Sequence, residues 1–110
     1  TGAFNLNLLA RINRELEADF DLSQFEHVAR INSAARSVEM HLRSKQRQTV
    51  SIPAAELLVD FQEDETIWTE SSHKYSLEEV FRMSRDAGFR CEAQWTDEQW
   101  PFAENLLIAE

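Results

Sequence analysis

A carboxylate and a hydroxyl stand two residues apart in segment 69–75, as Glu70 and Ser72. In an extended chain, side chains at positions i and i+2 lie on the same face, about 6–7 Å apart. Such a pair can hold a small polar ring from two sides. An imidazole suits it, because one ring N–H donates to the carboxylate and the other nitrogen accepts from the hydroxyl. The alternative, which composition alone favours, is a solvated polar loop that caps the following helix.

Met40 is the other side chain of chemical interest. Its expected role is packing in the core, although a thioether can also lie against an aromatic ligand ring. The acidic triplet 63–65 lacks the alternating oxygen ligands and the central glycine of a calcium loop. His27, His41 and His73 are too far apart for a local metal motif. We therefore expect no metal site in this chain, and no Ser-His or Cys-His nucleophile has a local signature in it.

The composition disfavours several classes of protein. The 110 residues include two glycines and one cysteine, so they contain no glycine-rich phosphate loop, no internal disulfide and no cysteine-based zinc site. The net charge of −9 is concentrated in residues 56–110, which carry −10, whereas residues 1–55 carry +1. This charge disfavours binding to nucleic acid or to anionic membranes. No membrane span or signal peptide is recognised, and the cysteine usage is compatible with a cytoplasmic location.

Hydrophobic periodicity predicts the elements that position these residues. Apolar side chains at helical spacing between Leu8 and Phe20 indicate a helix, and a shorter apolar pattern resumes over 21–31. From Ser37 the period changes to two. Adjacent strands with short connections predict that the N-terminal helices pack on an antiparallel meander. The strands are expected at 38–43, 49–52, 57–61 and 66–72.

The last third of the chain is predicted to form a helix and two strands. Ser76 and Glu79 have the spacing of a capping box, and Gly88 is expected to end the helix in the left-handed conformation. Strands are expected over 89–95 and 104–109. This tail is typical of the edge of a larger sheet. The chain is therefore interpreted as an α+β fragment of a larger protein.

Seven short motifs occur in one order along nearly the whole chain. They are FNLN (4–7), INREL (12–16), ADFD (18–21), FEHVA (25–29), VEMHLRS (38–44), TESSHKY (69–75) and WTD (95–97). Together they resemble the C-terminal part of the histidine-specific, S-adenosylmethionine-dependent N-methyltransferases, the family that makes histidine betaine for ergothioneine synthesis. The resemblance is carried by the order of the seven motifs along the chain and not by any one of them.

The resemblance implies a domain organisation and roles for individual residues. Residues 1–74 are expected to belong to an α+β domain that binds histidine. Residues 75–110 are expected to supply the last helix and strands of a Rossmann-like methyltransferase domain. Glu70 and Ser72 match the family residues that hydrogen-bond the substrate imidazole, and Met40 matches a position that lines the pocket.

The implied activity is methyl transfer from S-adenosylmethionine to the α-amine of L-histidine by the parent enzyme. The isolated segment is expected to be inactive and not to bind the donor. Its partners are then L-histidine and the remainder of the methyltransferase chain. Two alternatives stay open. One is a stand-alone, non-catalytic module that self-associates through exposed sheet edges. The other is a related methyltransferase that acts on another aromatic amino acid.

Two differences from the family pattern concern turns. The acidic triplet 63–65 stands where the family often has a glycine, and Asp64 is expected to tolerate a left-handed conformation there. The segment 98–101 is also less typical of the family, and the family pattern predicts no geometry for that hairpin. Neither difference involves Glu70 or Ser72.

Overall fold

The computed structural model describes residues 1–110, which form two helices and seven strands besides two short 3-10 turns. They divide into two compact units, Thr1–His73 and Lys74–Glu110. The α+β class is confirmed, whereas the assignment of the two units to different domains of a parent enzyme stays a prediction. The elements are α1 Gly2–Leu16, β1 Phe25–Asn32, β2 Ser37–Ser44, β3 Gln48–Ile52, β4 Leu57–Phe61, β5 Thr66–His73, α2 Leu77–Asp86, β6 Phe89–Thr96 and β7 Ala103–Ala109.

The first unit contains a three-stranded antiparallel sheet in the order β1-β2-β5 and a separate β3-β4 hairpin. The prediction of one continuous meander was therefore wrong. Both edges of β2 are already paired, with β1 along one side and β5 along the other. The segment between β2 and β5 consequently satisfies its backbone by pairing with itself, and its apolar side chains enter the core from a second sheet.

The prediction of more than one N-terminal helix was also wrong. The helix α1 ends at Leu16, and Glu17 follows it with a left-handed φ of 58°. Phe20 lies beyond the helix, where its N–H and C=O both bond to the side chain of Asn13. The next apolar pattern forms β1, because eight residues pair with β2 along its whole length. Short apolar runs do not distinguish a helix from a strand, and here the non-local pairing decides.

The hydrophobic core of this unit lies at one end of the sheet. Phe25 and Leu42 come from β1 and β2, and they are 2% and 0% exposed. The ring of Phe25 meets those of Phe20 and Phe61 edge-on, with centroids 5.5 Å and 5.4 Å away. Helix α1, the sheet and the β3-β4 hairpin all contribute to this cluster. Its buried members are Leu9, Phe20, Phe25, Leu42, Val50, Ile52 and Phe61.

The second unit consists of α2 followed by the antiparallel β6-β7 hairpin. The predicted capping box is confirmed, because the Ser76 hydroxyl accepts from the Glu79 N–H and the Glu79 carboxylate accepts from the Ser76 N–H. Gly88 has the predicted left-handed φ, at 88°. A two-stranded hairpin does not by itself constitute a Rossmann-like sheet, so that part of the fold stays a prediction. Neither helix has the length and apolar character needed to cross a membrane.

Candidate functional site

The pairing of β2 with β5 brings the three predicted site residues onto one face of the sheet. Met40 is directly opposite Glu70, and Val38 is directly opposite Ser72. Directly opposed residues of an antiparallel pair point to the same face, with Cβ atoms about 4.5–5.5 Å apart. Met40, Glu70 and Ser72 therefore form one patch, which we call the β2-β5 patch.

A bulge in β5 determines which face carries this patch. Ile67 is opposite Leu42 and Trp68 is opposite His41, but the next pair joins Glu70 to Met40 and leaves Thr69 without a partner in the ladder. Asp64, in the turn that precedes β5, adopts the expected left-handed conformation with φ 69°. The one extra residue in the bulge, Thr69, reverses the alternation of the side chains that follow it in β5.

The β2-β5 patch lies outside the hydrophobic core. Glu70 is exposed, whereas Ser72 and Met40 are half-buried. Towards the outer strand, Met40 faces Ala29 and Val38 faces Ile31, which is 84% exposed. The patch thus combines an accessible carboxylate, a hydroxyl and an apolar floor. That combination can bind a flat polar ring that donates a hydrogen bond to a carboxylate.

Asn5, on α1, connects the helix to all three strands beside this patch. Its side chain is buried and its amide Nδ2 donates to Nδ1 of His27 at 2.9 Å and to the carbonyl of His41 at 3.2 Å. Its Oδ1 accepts from the Thr69 hydroxyl at 2.7 Å. The sequence reasoning did not assign Asn5 a role. Asn5 is a polar residue four positions before Leu9, on the apolar side of α1. A polar side chain on such a face needs a buried hydrogen-bond partner, and this is the sequence signal that could have identified it.

A second polar cluster occupies the opposite face of the sheet. The buried His41 ring pairs through Nε2 with Glu39 at 2.8 Å and through Nδ1 with the Thr66 hydroxyl at 3.0 Å. It also stacks against Trp68 with a centroid separation of 6.0 Å. The hydrogen bond from His41, together with one from Asn32, lowers the pKa of the Glu39 carboxyl. Because it faces away from Glu70, this cluster does not belong to the β2-β5 patch.

An apolar groove of about 370 Å³ lies between α1 and the sheet and contains none of the three predicted site residues. Three of its nine lining residues are polar, so it offers shape but few groups that could orient a ligand. Of the residues that line it, Thr69 directly precedes Glu70 in the chain. The others are Leu8, Leu9, Arg11, Ile12, Glu15, Leu16, Leu42 and Ile67.

The residues present do not fit a site for S-adenosylmethionine. The connection from β5 to α2 contains no glycine, and the two glycines lie elsewhere, Gly2 at the start of α1 and Gly88 after α2. A strand, a glycine-rich turn and a helix N-terminus are what commonly hold such a cofactor. No three His, Cys, Asp or Glu side chains are grouped as they would be around a metal ion.

Comparison with known proteins identifies the class. The chain matches the family model described as histidine-specific methyltransferase, SAM-dependent, over residues 1–109, and it belongs to that family. The resemblance inferred from the seven motifs is thereby confirmed.

Two relatives extend this result. The chain is 45% identical over 108 residues to the histidine N-alpha-methyltransferase of Mycolicibacterium smegmatis, and 47% identical over 106 residues to that of Mycobacterium tuberculosis. These matches cover 98% and 96% of this chain, but only 34% and 33% of the relatives. The chain therefore spans about a third of the length of these relatives.

Proposed function

We propose that this chain is the C-terminal, substrate-contacting portion of an S-adenosylmethionine-dependent methyltransferase that acts on the α-amine of L-histidine. The observation that carries the proposal is the register of β2 and β5, which sets Met40 beside Glu70 and puts Ser72 on the same face. Membership of a histidine-specific family supplies the substrate class.

In this proposal Glu70 and Ser72 hold the imidazole from two sides. The carboxylate of Glu70 accepts from one ring N–H, and the hydroxyl of Ser72 donates to the other ring nitrogen. The thioether of Met40 lies against the ring. These contacts orient histidine from its side-chain end and leave the α-amine free. Alignment of this kind lowers a reaction barrier without any covalent participation by the protein. The methyl donor is held by the remainder of the enzyme.

The test is to replace Glu70 in the complete protein and to measure histidine binding by calorimetry. Glu70→Ala removes a hydrogen bond to a charged group, so we expect a loss of about 2–3 kcal/mol, or roughly 30- to 150-fold in Kd. The affinity for S-adenosylmethionine is expected to stay unchanged. Glu63→Ala is the matched control, because it removes another exposed carboxylate of the same unit. A Kd for histidine within twofold of the wild type would refute the role of Glu70.

The same site argues for histidine over other aromatic amino acids. A phenylalanine ring has neither a donor for Glu70 nor an acceptor for Ser72, so it forms neither of the two hydrogen bonds that hold the imidazole. We expect histidine to bind at least about 100-fold more tightly than phenylalanine to the complete protein. Comparable affinities for the two amino acids would favour a related methyltransferase with another aromatic substrate.

A stand-alone binding or oligomerisation module is the second candidate. The observation that favours it is the exposure of large apolar side chains in the second unit, where Trp95, Trp100 and Phe102 are 57%, 70% and 59% exposed. In our proposal the remainder of the methyltransferase covers them. Calorimetry on the isolated chain tests the proposal, which requires that this chain alone binds no S-adenosylmethionine. Micromolar binding of the donor by these 110 residues alone would contradict the proposal. The cytoplasmic location and the ergothioneine pathway stay predictions.

A further inference from the structure

We propose that Asn5 and Thr69 are positioning residues that lock the β5 bulge and thereby keep Glu70 and Ser72 on the histidine-binding face. This inference rests on the proposed function and assigns it two residues that do not touch the substrate. Asn5 is on α1 and Thr69 is the extra residue of the bulge.

The bulge is required because regular pairing would turn the site away. Ile67 shares its face with Leu42. From there, strict alternation would put Thr69, Ser71 and His73 on that face and Glu70 on the other. A shift of one residue exchanges the two faces of a strand completely. The carboxylate would then point away from Met40.

Hydrogen bonds hold the extra residue in place. The Thr69 hydroxyl lies 2.7 Å from Oδ1 of Asn5 and 3.0 Å from the carbonyl of Met40. A hydroxyl has one proton, so it donates to one of these oxygens at a time, and the shorter contact is with Asn5. The Thr69 hydroxyl therefore connects the bulged residue to Asn5 on α1 and to Met40, the residue of β2 that faces Glu70.

Asn5 is itself held in a single orientation. The carbonyl of His41 can only accept, so the amide group that approaches it within 3.2 Å must be Nδ2. The second Nδ2 proton goes to Nδ1 of His27, which leaves Oδ1 for Thr69. Asn5 is 4% exposed, and both its Oδ1 and its Nδ2 form hydrogen bonds. Loss of the polar group of Asn5 or of Thr69 therefore leaves a polar group of the other site without its hydrogen-bond partner.

The experiment compares Thr69→Val with Thr69→Ser in the complete protein. Valine keeps the shape and β-branching of threonine but has no hydroxyl, whereas serine keeps the hydroxyl. We expect Thr69→Val to raise the KM for histidine about tenfold, with the KM for S-adenosylmethionine unchanged, because small misplacements of binding groups have effects of this size. Thr69→Ser is expected to stay within about twofold of the wild type.

A double variant shows whether the effect passes through Glu70. In a Glu70→Ala background, Thr69→Val is expected to raise the KM for histidine by clearly less than about tenfold, since one of the two groups that it misplaces is already absent. An equal effect in both backgrounds would overturn the positioning role. An unchanged KM for histidine in Thr69→Val, together with weaker histidine binding in Glu70→Ala, would also overturn it. That pair of results would leave the proposed function intact. An unchanged affinity in Glu70→Ala itself would reject both the inference and the proposed function.

Discussion

Replacement of Phe25 should separate the stability of the first unit from histidine binding. Phe25 is 2% exposed, and its ring has edge-on contacts with Phe20 and Phe61. Truncation to alanine removes the buried ring and leaves a cavity, which costs about 3–5 kcal/mol. Phe25→Leu keeps most of the apolar volume but loses two aromatic contacts of about 0.5–1.5 kcal/mol each, so we expect a loss of about 1–3 kcal/mol.

The position of Phe25 in the strand register predicts that replacing it leaves the β2-β5 patch unaffected. Phe25 pairs with Ser44, whereas Ala29, four residues further along β1, pairs with Met40. Four residues of strand span about 13 Å, which puts the perturbed core well away from the β2-β5 patch. A complete protein that carries Phe25→Leu and remains folded should therefore bind histidine within about twofold of the wild type.

Equilibrium urea unfolding measures the stability change, and a shift of the midpoint at constant slope converts to free energy. Leu58→Ala is the matched control, because Leu58 is an apolar residue of the same unit that is 74% exposed. We expect that control to cost less than about 0.5 kcal/mol. The reasoning is refuted if Phe25→Ala costs under about 1 kcal/mol, or if Leu58→Ala costs as much as Phe25→Ala.

Two further predictions test a helix end and a polar cluster. Gly88→Ala should lower stability by about 1 kcal/mol in thermal unfolding, because its φ of 88° is unfavourable for alanine while an added Cβ meets nothing within 4 Å. Gly88→Asn should cost less, and an unchanged melting temperature for the alanine variant would contradict the argument. For Glu39, the folded pKa lies below the ordinary value of 4.5, so its contribution is present at neutral pH and is lost as pH falls through the lowered pKa. Glu39→Gln should therefore be less stable than the wild type at neutral pH, and the difference should vanish in acid; a difference independent of pH would refute this assignment.

The elements that sequence patterns predicted correctly are those that local chemistry determines. The α2 boundaries follow from Ser76, Glu79 and Gly88, whose capping and left-handed preferences act within one or two turns of the helix. The errors lie where distant segments compete for a partner. Nothing within 25–32 shows that β2 will pair with it, and nothing within β3 or β4 shows that β5 will take the other edge of β2.

The candidate site illustrates the same limit at the level of one residue. Alternation correctly puts Glu70 and Ser72 on a common face, and this holds for any extended chain. Alternation does not predict whether Glu70 and Ser72 share a face with Met40, because a single extra residue in the strand moves them to the opposite face. That residue is Thr69, and the side chain that bonds to it, Asn5, is 64 positions earlier in the sequence.

The grouping of Met40 with Glu70 is therefore a property of how α1 docks on the sheet. Asn5 reaches Thr69 only when α1 packs across β1 and β2, since the same amide also bonds to His27 and to the carbonyl of His41. The proposed binding residues on β5 thus acquire their orientation from tertiary packing. A variant that loosens α1 without changing the β2-β5 patch should weaken histidine binding, and one that perturbs the distant Phe25 cluster mildly should not. That contrast distinguishes a site held by its helix from one formed by β2 and β5 alone.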